Sequence, residues 1–225
     1  MTGSQMLEGR LRLRWTQQVA ARKLGVSQPY LSLLESGTRQ VTDQLAEKAA
    51  ELYGTLPTTL PLAENPASNP EMLVEDLAAL EYPGFSHVRA RQKRNPAAVL
   101  FAALRQNDLD SRVVEALPWV LLRYPALDWN WLVDRAKLNN LQNRLGYVTH
   151  LAFQLADASA NHGVVEELAR QRDVLENSRL AREDTLCHDS LSEAERAWVR
   201  NTRPAEAQHW NLLTDLRPEH LRYAS

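Results

Sequence analysis

Apolar residues recur at helical spacing along most of this chain, and the strict alternation that marks strands is nearly absent. The most informative stretch is residues 16–42, TQQVAARKLGVSQPYLSLLESGTRQVT. Thr16 is placed to cap a helix running from Gln17 to Leu24. Gly25 then supplies the positive backbone dihedral that a tight turn between helices requires, and Val26 is the apolar plug between them. Ser27 caps a second helix, with Pro29 in its first turn, where a missing N–H does no harm. Leu31 and Leu34 face inward, which leaves Gln28, Pro29, Ser32 and, at the edge, Leu33 outside. Gly37 ends that helix, and Thr42 caps another whose apolar residues are Leu45, Ala49 and Leu52.

Beyond Gly54 the pattern changes. Residues 55–70, TLPTTLPLAENPASNP, carry four prolines among Thr, Ser and Asn, the composition of a linker or irregular arm. From Glu71 onward helical periodicity returns. Asn95-Pro96 gives a cap and first-turn proline before AAVLFAALRQ. Asp110 or Ser111 starts a helix that Pro118 is expected to bend or break. Asp128 precedes WNWLVDRAKL, and Leu141, Leu145, Val148, Leu151, Ala152 and Leu155 form one face. Another helix is expected over 164–180, and Ser192 with Glu195 forms a capping box. The expectation is all-α: a helix-turn-helix domain over 1–54, a linker over 55–70, and six to eight packed helices over 71–225.

The residues Thr16-Gln17, Ala21, Leu24-Gly25-Val26-Ser27, Leu31-Ser32, Glu35 and Gly37 resemble the lambda-repressor-like (Cro/XRE) helix-turn-helix family over roughly residues 6–54. Ala20, where the family usually has a larger aliphatic residue, and Val41, where proline is common, depart from it in packing positions. The resemblance implies a five-helix bundle whose third helix enters the major groove of an operator. It places Gln17 on a backbone phosphate and makes Gln28 the base reader, since a glutamine amide pairs bidentately with adenine. Ser27, Pro29, Ser32 and Leu33 lie along the same face, Tyr30 and Arg39 are placed for phosphates, and Arg10 with Glu35 is an internal ion pair. The chain as a whole, with SRLAREDTLC and HWNLLTD near its end, resembles bacterial antitoxin-like or defence-associated regulators. The function implied is a dimeric regulator of transcription, a repressor, acting on double-stranded DNA. The alternative is an antitoxin whose C-terminal helices hold a toxin.

Charge qualifies this picture. The net charge is -2, so any affinity for DNA must come from a local surface. Residues 1–54 hold seven Lys/Arg against five acids, an excess of two, which points to a dimer as the binding species. One cysteine, Cys187, excludes an internal disulfide and fits a reducing cytoplasm. No secretory signal or apolar span of membrane length is read. No GxGxxG, Walker A, GxSxG, CxxC or HExxH is present, so no cofactor, metal or catalytic residue is assigned and no enzyme is expected. His188 beside Cys187 matches no ligand spacing. The basic run His87–Arg94 reads as a solvated loop before a phosphate patch, and Trp119, Tyr124, Trp129, Trp131 and Tyr147 as core before a ligand pocket.

Overall fold

The computed structural model describes residues 1–62, 69–90 and 93–223, and the chain divides into two compact units, Met1–Ala63 and Glu64–Ser225. Among the described residues the regular structure is almost wholly helical, as the periodicity implies.

The first unit contains α1 (Gly3–Arg12), α2 (Gln17–Leu24), α3 (Gln28–Glu35) and α4 (Asp43–Tyr53). Its start signals operate as expected at α2 and α3, where Thr16 accepts from the Val19 N–H and Ser27 from the Tyr30 N–H. Thr42 occupies the N-cap of α4 without a side-chain cap bond. The fifth helical element is a single 3-10 turn, Pro57–Thr59. Residues preceding proline are driven out of the α region, and Leu56 and Leu60 both precede one. Pro57 and Leu60 are nevertheless buried, so the start of the proline-rich stretch folds with this unit. Its core gathers Met6, Ala20, Leu24, Leu31, Leu34, Leu45, Ala49 and Tyr53. Ala20 is fully buried, and Trp15 meets Tyr53 edge to face at 6.1 Å.

The second unit has eight α-helices among its described residues: α5 (Pro70–Ala79), α6 (Pro96–Leu104), α7 (Ser111–Arg123), α8 (Trp129–Leu138), α9 (Gln142–Ala158), α10 (His162–Glu176), α11 (Glu193–Thr202) and α12 (Ala205–His209). Asn95, Asp110 and Asp128 cap α6, α7 and α8, and Ser192 with Glu195 makes the capping box of α11. Helix α7 runs through Pro118 without ending there, because its neighbours Ala116, Leu117, Trp119, Val120 and Leu121 are all buried and hold both flanks. One expectation is corrected, at the end of α10. Helix α10 stops at Glu176, not Leu180, because the Asn143 amide takes both the N–H (2.8 Å) and the carbonyl (2.9 Å) of Leu180. A short parallel pair also exists, β1 (Asp184–Thr185) beside β2 (Leu212–Leu213).

Helices α6 and α9 form the middle of this unit. Every residue of α6 is buried, as is each of residues 141–149. Several polar groups on α9 therefore draw their partners from distant segments of the unit. Arg144 donates twice to Asp184 (2.8 and 2.9 Å) and to the carbonyls of Leu104 and Gln106. Gly146 lies flat against the Trp210 ring, and the Tyr147 hydroxyl donates to the Leu216 carbonyl. Trp119, Tyr124, Trp129 and Tyr147 are buried and Trp131 is half-buried. No helix among the described residues is long and apolar enough to cross a membrane.

Candidate nucleic-acid interface

The geometry of α2, its turn and α3 follows from local chemistry. Gly25 sits at φ 76° and ψ 30°, a left-handed conformation that is easy for glycine and strained for other residues. The chain then reverses, and the Val26 N–H closes onto the Ala21 carbonyl at 3.0 Å. Leu31, Leu34 and Glu35 turn inward from α3, while Gln28, Pro29 and Leu33 are exposed and Tyr30 and Ser32 half-buried. Ser27 is exposed and uses its oxygen as the cap. Arg39, exposed just past α3, is anchored by its N–H to the Leu33 carbonyl.

The polar side chains behind this face form a connected series. Arg10 donates to both carboxylate oxygens of Glu35, Nε to Oε1 at 2.6 Å and Nη2 to Oε2 at 2.8 Å. The pair is buried, and the hydrogen bond to Glu35 holds the Arg10 guanidinium above its ordinary pKa. The Gln17 amide nitrogen donates to Glu35 Oε2 at 2.9 Å, and its oxygen accepts from the Gln28 amide nitrogen at 2.6 Å. Polarity runs one way along this series. An ionised carboxylate only accepts, so Gln17 must turn its NH₂ inward and its carbonyl toward Gln28. Gln28 must then donate to Gln17, which leaves its own carbonyl and second N–H facing out. That donor and acceptor side by side match N7 and the N6 amino group of adenine in the major groove.

Residues 6–60 match the helix-turn-helix family model. The N-terminal unit is a lambda-repressor-like helix-turn-helix domain. The chain that carries it is, in general terms, a DNA-binding transcriptional regulator. No curated protein and no solved structure matches the chain.

Within the helix-turn-helix domain the candidate residues divide by placement. Gln28, Pro29 and Leu33 share the outer face of α3 with half-buried Ser32. Gln17 is half-buried, with both ends of its amide engaged inside the domain, which makes it an orienting residue for Gln28; one N–H remains for phosphate. The cation count changes more. Arg10 is consumed by Glu35, Arg12 donates to the carbonyls of Tyr53 and Gly54, and Lys48 donates to the Leu24 carbonyl at 2.8 Å. Lys23 lies over the Trp15 ring at 4.9 Å. Arg14, Arg22 and Arg39 remain as exposed guanidinium groups. Sequence reasoning assigned Glu35 to architecture alone. The signal for its second role was an acid on the inward face of α3, beside Leu31 and Leu34.

In the second unit, Lys93 pairs with Glu81 and Arg94 with Asp76, both at 2.6 Å, which accounts for part of the basic run; residues 91 and 92 lie outside the described residues. Cys187 is fully buried, and desolvation pushes its thiol up to about 12. Among the described residues no group of three or more His, Cys, Asp or Glu is arranged to hold a metal ion.

Proposed function

We propose that the chain is a dimeric repressor that reads an operator through α3, with Gln28 selecting an A·T pair. The observation that carries this reading is the Gln28–Gln17–Glu35–Arg10 series, which fixes the reading amide before DNA arrives and so removes an ordering step from binding. Ser32 and Leu33 contact a neighbouring base or thymine methyl. The first turn of α2 with Gln17, together with Ser27, Tyr30 and Arg39, meets phosphates. With three free guanidinium groups on the domain, two copies on half-sites one helical turn apart supply the affinity one copy lacks. A role on DNA supports a cytoplasmic location, and no enzymatic step is assigned to the chain.

The test is a selection of bound sequences from a random duplex pool, followed by mobility shifts on the winner and its single-base variants. Wild type should show an invariant A·T pair in each half-site. Gln28→Ala should bind with a loss of about 1–3 kcal/mol and no preference at that pair. Retained preference in Gln28→Ala would remove Gln28 from base reading, and a single-half-site consensus would remove the dimer.

A second role, an antitoxin or defence component whose C-terminal helices hold a partner protein, is favoured by one observation. Trp198, on α11 of the second unit, is 58 % exposed.

A further inference from the structure

Trp198 stands apart from the other tryptophans, of which Trp119, Trp129 and Trp210 are buried and Trp15 and Trp131 half-buried. Its exposure is not the result of a loose helix. Helix α11 is closed at its start by the Ser192–Glu195 box, and Glu183 pairs with both Arg200 (2.6 Å) and Arg203 (3.5 Å). The indole is thus held out by a fixed element, beside a cavity of about 430 Å³ floored by Leu109, Val114, Leu186, Leu213 and Leu216.

The rim of that cavity is acidic. Glu115 and Asp215 line it, and neither has an ion-pair partner among the described residues. Glu195 lines it too, with its carboxylate turned to Ser192. Ser111, Glu115 and His220 also line a second cavity of about 600 Å³, so the two join into one trough. The far end closes on Tyr82 and Tyr223, whose rings meet edge to face at 5.7 Å. Charge there is mixed, Arg112 and Arg222 against Glu219, so electrostatic selection acts at the Trp198 end.

We propose that this trough docks a helical segment of a partner protein, apolar along one face and carrying lysine or arginine where it meets Glu115 and Asp215. An apolar floor with an exposed tryptophan at its edge is the form of a helix-in-groove site, and tryptophan is the residue type most enriched among binding anchors. Two unpaired carboxylates repel phosphate and favour a cationic ligand, which disfavours nucleic acid at the Trp198 end. The proposal rests on the reading of the second unit as partner-binding and is independent of DNA recognition by α3.

The experiment pans a phage-displayed library of random 16-residue peptides on the full chain. Counter-selection uses Trp198→Ala and, separately, the double variant Glu115→Lys/Asp215→Lys, each checked for wild-type circular dichroism and operator binding. Enriched peptides should carry apolar residues at i, i+4 and i+7 with a net positive charge. Synthetic copies should bind wild type at least tenfold more tightly than either variant, and Gln28→Ala should bind them unchanged. Enrichment of acidic peptides, or binding indifferent to Trp198→Ala, overturns the proposal and leaves partner binding standing elsewhere on the unit. Self-association lost in Trp198→Ala, seen by sedimentation, overturns it by making the occupant a second copy. An unenriched pool overturns both the proposal and the partner-binding reading.

Discussion

Replacing Arg10 by methionine leaves the Glu35 carboxylate in the core of the helix-turn-helix domain with Gln17 as its remaining hydrogen-bond donor. The two side chains are 9 % and 4 % exposed, and their contact is bidentate. Removing one partner of such a pair costs about 3–5 kcal/mol, because the other charge stays buried and unpaired. A unit of this size is stable by roughly 3–9 kcal/mol, at about 0.05–0.15 kcal/mol per residue. Arg10→Met, and likewise Glu35→Leu, therefore removes most of the stability of the first unit and leaves the second intact. Amide hydrogen exchange read by mass spectrometry resolves this in the full chain. Peptides from α1–α4 should exchange faster by roughly two to four powers of ten, at 1.4 kcal/mol per power, while those from α6 and α9 stay unchanged. The double variant Arg10→Met/Glu35→Leu should recover most of the protection, since an apolar pair in that space is neutral or stabilising. It should not recover base discrimination, because Gln17 then has no carboxylate to orient it. An acceleration below tenfold in Arg10→Met, or losses that simply add in the double variant, would refute the argument.

Gly146→Ala places a methyl inside the Trp210 ring; overpacking of about 1–3 kcal/mol should lower the calorimetric midpoint of the second unit by roughly 2–12 °C. Trp210→Leu in the same chain should restore part of that loss, and an unshifted midpoint in Gly146→Ala would show that the ring has room to move. The Cys187 thiol, pushed up to about 12 by burial, should resist iodoacetamide at pH 8 in the folded protein and react fully in denaturant. Burial first, then the nearby Arg172, hold the His150 imidazole below its ordinary pKa. The unfolded chain then binds the proton more readily, so stability is present above about pH 6.5 and falls as the pH drops below it. His150→Asn should flatten that acid limb in urea titrations run from pH 7 to 5.

The helix-turn-helix was legible because its determinants are local: two caps, a glycine and a plug at fixed spacing within a dozen residues. The same holds for the Asn95-Pro96 and Ser192–Glu195 starts. At Pro118 sequence left a bend and a break open, because what keeps the helix running is packing on both of its flanks. The end of α10 misled because the group that stops it, the Asn143 amide, lies 37 residues away along the chain. Arg144 reads in sequence like a surface residue of an amphipathic helix. It is buried because Asp184 and two carbonyls arrive from separate segments, which periodicity cannot register. In the candidate site the outer face of α3 followed from spacing. The orientation of the Gln28 amide did not, since it depends on Gln17 and Glu35 meeting in three dimensions.

The row of partners along α9 also has a meaning in time. Everything the core of the helix-turn-helix domain requires is present once its own unit has been synthesised. Helix α9 must wait: Tyr147 finds its acceptor 69 residues later, at Leu216. At translation rates of about 5–20 residues per second that interval is roughly 3–14 s; Leu180 and Asp184, the later partners of Asn143 and Arg144, emerge only part-way through it, so until then α9 is incompletely satisfied. The DNA-reading head can thus be finished while the rest of the nascent chain is still open to chaperones and proteases, and any shortage of folding assistance falls on the second unit first.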